Sequence, residues 1–171
     1  MRQALLIIDM LNDFVLPGAP LEVSATRDII APIRARLDQA RAEQMPVVYV
    51  CDAHAEDDEE FGVWPKHAVK GTYGAQVVEE LRPIEGETVV EKTRYSGFFG
   101  TDLDSILKQS AVGTLALAGC VTNICVLYTA ADAAMRGYKL VVPKDCVAAL
   151  APEDHEFALR QMRDVMGAKV V

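Results

Sequence analysis

Five short runs of this chain, ALLIID (4–9), PVVYVCD (46–52), TVVEK (88–92), GTLALAG (113–119) and KLVVP (139–143), are dominated by Val, Ile, Leu and Ala. They lack the strict apolar–polar alternation of a half-exposed strand, so both faces need cover, and that points to a parallel sheet buried between helices. The segments between them supply the cover. In RDIIAPIRARLDQARAEQ (27–44), Ile29, Ile30, Ile33 and Leu37 keep helical spacing and Pro32 lies near the start. A shorter helix is read near GAQVVEEL (74–81), and Thr101 with Asp104 reads as a capping box opening DLDSILKQS (102–110). A further helix ends at Gly137, a natural C′ glycine, and PEDHEFALRQMRDVM (152–166) precedes a last strand, AKVV. The alternation predicts an α/β fold: three layers, α/β/α, around a central, mostly parallel six-stranded sheet, as one domain over residues 1–171.

Charge narrows the partners. Twenty-five acidic residues against 17 Lys and Arg give a formal net charge of -8. No basic cluster offsets this locally, so phosphate backbones and anionic lipid surfaces are repelled, and neither nucleic acid nor membrane is expected as a partner. MRQALLIIDM has a short apolar run without a cleavage site, and no segment approaches a membrane span. Four cysteines at irregular positions fit reduced thiols in a cytoplasmic protein. Folds of this kind often pair, so a homo-oligomer stays open.

Parallel sheets bind ligands beyond the carboxyl ends of their strands. The residues read there are Asp9, Asp52, Lys92 and the turn from Cys120 to Cys125. Cys120 ends or just follows a strand. Cys125 falls in the first turn of the next helix, where free N–H groups and the positive dipole end favour a thiolate. A cysteine in an Ala-rich helix is by default a small buried residue. Asp9 and Lys92 alter that reading, because a charge ending an apolar strand is costly without a partner or a task. Carboxylate, ammonium and thiol on one edge form a hydrolytic set, in which the ammonium lowers the thiol pKa and the carboxylate carries its proton. Cys51, Cys120 and Cys146 are read as core.

Asp52 and His54 project to the same side of an extended segment, and His67 returns on the following loop, so the three can grip one ion. Such N and O donors suit a divalent metal ion, zinc foremost, with manganese and iron as alternatives. The acidic run EDDEEF (56–61) reads by default as a solvated loop face, and His155, in the last helix, as a surface residue.

The stretches IDMLNDF (8–14), DAH (52–54), WPKHAVKGTYGA (64–75), EKTRYSGFFGTDLD (91–104) and GCVTNICVLYTAADA (119–133) together resemble the isochorismatase-like cysteine hydrolases, and within them the nicotinamidases. The resemblance implies an Asp-Lys-Cys triad on Asp9, Lys92 and Cys125. It also implies a cis peptide before the nucleophile's turn and an oxyanion hole from the N–H groups of Val121 and Cys125. It implies a metal on Asp52, His54 and His67, with Glu60, seven residues before His67, as a further ligand. Phe14, Trp64 and Tyr95 are then candidates to pack around a flat ring. The expected function is hydrolysis of the small-molecule substrate nicotinamide to nicotinate and ammonia, with pyrazinamide accepted too. The alternatives are another amide hydrolase of the superfamily, acting on a ureido acid, a carbamoyl amine or a maleamate-type amide, and a noncatalytic ligand-binding member.

Overall fold

The computed structural model describes residues 2–171. Among the described residues seven strands form one sheet: β1 (Arg2–Ile8), β2 (Val47–Asp52), β3 (Thr88–Lys92), β4 (Val112–Cys120), β5 (Lys139–Val142), β6 (Val147–Ala148) and β7 (Lys169–Val170). Their order is β3-β2-β1-β4-β5-β7, with β6 paired to β4 beyond β5. Every ladder is parallel. The helices are α1 (Asn12–Val15), α2 (Thr26–Ala42), α3 (Leu103–Gln109), α4 (Leu127–Met135) and α5 (Pro152–Asp164).

Successive strand residues feed opposite layers. Leu6 and Ile8 of β1 pack with Leu103 and Leu107 of α3, Ala130 and Ala133 of α4, and Ala158 and Met162 of α5. Leu5 and Ile7 pack instead with Ile29, Ile33 and Leu37 of α2. Buried apolar groups on both faces account for the missing alternation in the sequence.

Three local readings change. The seventh strand, β6, is two residues long, too short for a propensity signal, and is defined by its pairing to Gly119 and Cys120. The stretch 74–81 is two 3-10 turns, Tyr73–Ala75 and Glu79–Leu81. Between them Val77 bridges Leu11 and the Val78 N–H donates to Met10 O, so pairing with the segment after β1 outcompetes a helix. The capping box does not form. Thr101 donates to Gly97 O at 2.5 Å and accepts from the Leu103 N–H at 3.3 Å, while Asp104 accepts from Lys108 and Tyr138. Gly137 does end its helix in the left-handed region, at φ +85°.

Candidate active site

The strand order β3-β2-β1-β4 lines up Lys92, Asp52, Asp9 and the turn holding Cys125 along one edge of the sheet. The sheet reverses direction of growth at β1, the place where ligand crevices open in such folds. Register sets the spacing: Asp52 stands opposite Lys92, and the Asp9 N–H donates to Val50 O at 2.9 Å. Asp9 then leaves the strand at φ +50°, a left-handed conformation that aspartate tolerates better than most residues. Its Oδ1 accepts from the Asp52 N–H at 2.8 Å, and Lys92 Nζ lies 2.8 Å from its Oδ2. Lys92 Nζ also lies 2.5 Å from Asp52 Oδ1 and 3.6 Å from Cys125 Sγ. All three predicted triad residues meet, each 6% exposed or less.

Gly119 (φ +116°), next to last in β4, lies against the β1 backbone, and the Cys120–Val121 peptide at the strand's end is cis, as the resemblance implies. Thr122–Val126 then winds as a π turn, with the N–H groups of Ile124 and Val126 both donating to Val121 O, before α4 begins. Cys125 therefore sits in a wider turn than the first turn of an α-helix. Cys120 is core, its thiol donating to Asp9 O.

The resting charges differ from the sequence expectation of a lowered thiol. Burial pushes the Cys125 thiol well up and outweighs the pull of Lys92, so the resting group is a neutral thiol. Burial likewise raises Asp9, reinforced by Asp52 and opposed by Lys92, to about 6. Burial favours a neutral Lys92, but Asp9, Cys125 and Asp52 overcome it and hold the ammonium charged. A carboxyl raised to this range can exchange a proton near neutrality with a neighbouring group.

Ligand atoms of Asp52, His54 and His67 lie within 4.8 Å of one another, all in buried residues. Nδ1 of His67 donates to Pro65 O at 2.7 Å, which leaves Nε2 facing Asp52 Oδ2 at 3.9 Å. Nδ1 of His54 is 3.0 Å from Asp58 Oδ2, and its buried Nε2 has no hydrogen-bond partner among the described residues. Burial opposes a charge on His54, yet Asp52, Asp58 and Glu60 push it up to about 9. An unpartnered imidazole nitrogen at a point where carboxylates demand positive charge fits a divalent cation. Glu60 lies outside the group of three, but its Oε2 is buried without a hydrogen bond, 3.8 Å from Arg94.

A cavity of about 300 Å³ joins the two sets: Cys125 and Val121 line it with Asp52, Glu60 and His67. Phe14, Trp64 and Tyr95 line it as well. Phe14 meets His67 edge to face at 5.5 Å, and the Trp64 indole N–H donates to Tyr95 OH at 3.1 Å.

Several contributors escaped the sequence reading. Asp13 accepts from the Ala68 N–H at 2.8 Å and so fixes the chain just after His67. Phe61 packs edge to face on both imidazoles. Asp58, taken as part of a solvated acidic run, has a side chain only 8% exposed. His155, expected to lie away from the site, is half-buried with Nδ1 3.0 Å from Thr122 Oγ1, directly behind the cysteine turn. The signal available for Asp58 was its i,i+4 spacing from His54; none marked His155.

Residues 3–171 match the isochorismatase domain family, and the chain belongs to it. It is a hydrolase of that superfamily and resembles the nicotinamidase/pyrazinamidase group. Nicotinamidase/pyrazinamidase PncA from Bacillus subtilis is 35% identical, with a TM-score of 0.95 and complete coverage of both chains. The pyrazinamidase of Pyrococcus horikoshii, solved in complex with zinc, is 32% identical at a TM-score of 0.94, covering 100% of this chain and 99% of that one. N-carbamoylsarcosine amidase from Thermoplasma acidophilum is 39% identical at a TM-score of 0.90, covering 99% and 95%.

Proposed function

We propose that this protein is a metal-dependent cysteine amidohydrolase that converts nicotinamide to nicotinate and ammonia and accepts pyrazinamide by the same chemistry. The observation that carries the reading is the shared cavity, whose wall brings Cys125 together with Asp52 and His67, two of the three clustered ligand residues, and with aromatic side chains suited to a flat heteroaromatic amide. Asp52, His54 and His67 would hold the ion, with Glu60 as a fourth ligand. Zinc is favoured because the N and O donor set suits it and the Pyrococcus horikoshii pyrazinamidase binds it. A bound ion supplies a Lewis-acid anchor for the substrate's ring nitrogen.

Cys125 Sγ attacks the carboxamide carbon as Asp9 takes the thiol proton. The N–H groups of Val121 and Cys125 stabilise the oxyanion. Collapse of the tetrahedral adduct breaks the C–N bond, and Asp9 delivers its proton to the departing nitrogen, releasing ammonia and leaving a thioester. Asp9 then removes a proton from water, whose oxygen attacks the thioester carbon, and the C–S bond breaks as the returning proton restores the Cys125 thiol; nicotinic acid leaves and ionises to nicotinate in solvent. Lys92, charged throughout, holds Asp9 and offsets the negative charge that moves between carboxylate and sulfur.

A carbamoyl-type amidase is the second reading, favoured by the similarity to N-carbamoylsarcosine amidase. A substrate of that kind carries a carboxylate. The charged residues lining this cavity are Glu22, Asp52 and Glu60, with no lysine or arginine among the described lining residues to receive it. The deciding experiment measures ammonia release from nicotinamide and from N-carbamoylsarcosine, by wild type and Cys125→Ala, before and after chelation and zinc re-addition. Zinc-restored release from nicotinamide, lost in the variant, supports the proposal; release from the carbamoyl compound alone overturns it.

A further inference from the structure

Asp58 belongs to the acidic run that leads into Glu60, and its neighbours on the run, Glu56, Asp57 and Glu59, are exposed. Asp58 differs in having every oxygen engaged. Its Oδ2 faces His54 Nδ1 at 3.0 Å, while its Oδ1 accepts from the Glu60 N–H at 2.9 Å and from Arg94 Nη1 at 3.0 Å. The Glu60 contact caps the single turn Glu59–Gly62, so one carboxylate fixes both an imidazole and the backbone that carries Glu60. Arg94 stands two residues beyond Lys92, and its guanidinium ties the acidic loop to the end of β3. A carboxylate on Nδ1 dictates which nitrogen holds the ring proton. In the neutral ring that a metal requires, Nδ1–H donated to Asp58 puts the lone pair on Nε2, the buried nitrogen that has no hydrogen-bond partner among the described residues.

We infer that Asp58, held by Arg94, is a positioning residue for metal binding: it sets the His54 tautomer, turns Nε2 toward the ion and raises the ring's strength as a donor. The inference rests on the metal-dependent reading above and adds two residues to it that touch neither ion nor substrate. Asp58 holds the ring; Arg94 holds Asp58.

The test is zinc affinity, read by competition with a chromophoric chelator on protein stripped of metal, so that no turnover is needed. Removal of such a supporting carboxylate weakens metal binding about 10- to 100-fold. Asp58→Ala is expected to fall in that range. Asp58→Asn, whose amide oxygen still accepts from Nδ1–H, should recover part of the loss, and Arg94→Gln should lie between Asp58→Asn and wild type. Asp57→Ala removes the same charge from an exposed neighbour and should bind zinc as wild type does, which separates a directed contact from general loop electrostatics. Circular dichroism melts of the metal-free proteins identify any variant that has not folded, and Asp58→Asn keeps the shape if Asp58→Ala fails. Zinc affinity in folded Asp58→Ala and Asp58→Asn within twofold of wild type overturns the inference and leaves the metal reading standing. An equal loss in Asp57→Ala also overturns it. A wild type that binds no zinc, manganese or iron(II) overturns the metal reading and this inference with it.

Discussion

Replacing Lys92 by Met is the perturbation whose size follows most directly from the structure. Lys92 is 2% exposed, and its ammonium lies 2.8 Å from Asp9 and 2.5 Å from Asp52. Methionine keeps most of the volume and leaves two buried carboxylates facing each other without a cation. Breaking a buried pair in this way costs about 3–5 kcal/mol. For a domain of this size each kcal/mol moves Tm by about 2–4 °C, so Lys92→Met should melt about 6–20 °C below wild type. The assay is thermal unfolding by circular dichroism in excess chelator, so that no bound cation substitutes for the ammonium. The stranded charge, rather than lost packing, is the asserted cause. A second substitution, Asp9→Asn, should therefore return much of the lost Tm when added to Lys92→Met. A single variant melting within about 2 °C of wild type would refute the reasoning. So would a double variant no more stable than the single one, since that places the cost in packing instead.

Further expectations concern the same scaffold. Gly119→Ala would place a Cβ 1.9 Å from Ile8 O at φ +116°, and strain with overlap should cost about 2–6 kcal/mol in urea unfolding. Gly18→Ala, at φ +77° but with open space around it, should cost about 1 kcal/mol. Cys120→Ala should retain ammonia release and Cys125→Ala should lose it, because the Cys120 thiol bonds to Asp9 O and is absent from the cavity wall. The Arg41–Glu87 ion pair gives a pH signature. Burial opposes ionisation of Glu87, but hydrogen bonds from Arg41 and from the Ile84 N–H prevail and hold its carboxyl below the ordinary range. A depressed acid contributes stability above its unfolded pKa and loses it as pH falls through the folded one. The advantage of wild type over Glu87→Gln, about 1–2 kcal/mol near neutrality, should therefore shrink as pH falls from about 5 toward 3, as measured by urea unfolding across pH.

Legibility in the sequence followed interaction range. Long apolar runs gave the strands of the sheet, and the three-layer architecture followed from their alternation with amphipathic segments. Asp9, Asp52 and Lys92 could be placed at strand ends because a charge closing an apolar run is visible locally. What was lost was decided by contacts between distant segments. Pairing to Gly119 and Cys120 creates β6, and bonds from residues 77 and 78 to the segment after β1 unwind the expected helix at 74–81. His155 reaches Thr122 across 33 positions, and Arg94 reaches Asp58 across 36. Burial decided the Cys125 charge state: the sequence indicated an ammonium nearby but not the desolvation that outweighs it.

Asp52 belongs both to the Asp9–Lys92–Cys125 cluster and to the candidate metal group, so the two cannot be read separately. One oxygen faces Lys92 and the other faces both imidazoles, at 3.7 Å from His54 Nε2 and 3.9 Å from His67 Nε2, while its backbone N–H holds Asp9. Lys92 and His54 both favour the ionised form and overcome its burial. A cation drawing on Oδ2 would leave less negative charge on Oδ1 for Lys92, and the ammonium would then be shared less evenly, leaning toward Asp9 and Cys125. That shift would favour a negative Cys125 sulfur, the form that the proposed attack requires. On the proposed reading, charge at the metal end of the cavity would in this way be felt at Cys125 through one carboxylate, without any movement of the sheet that carries both.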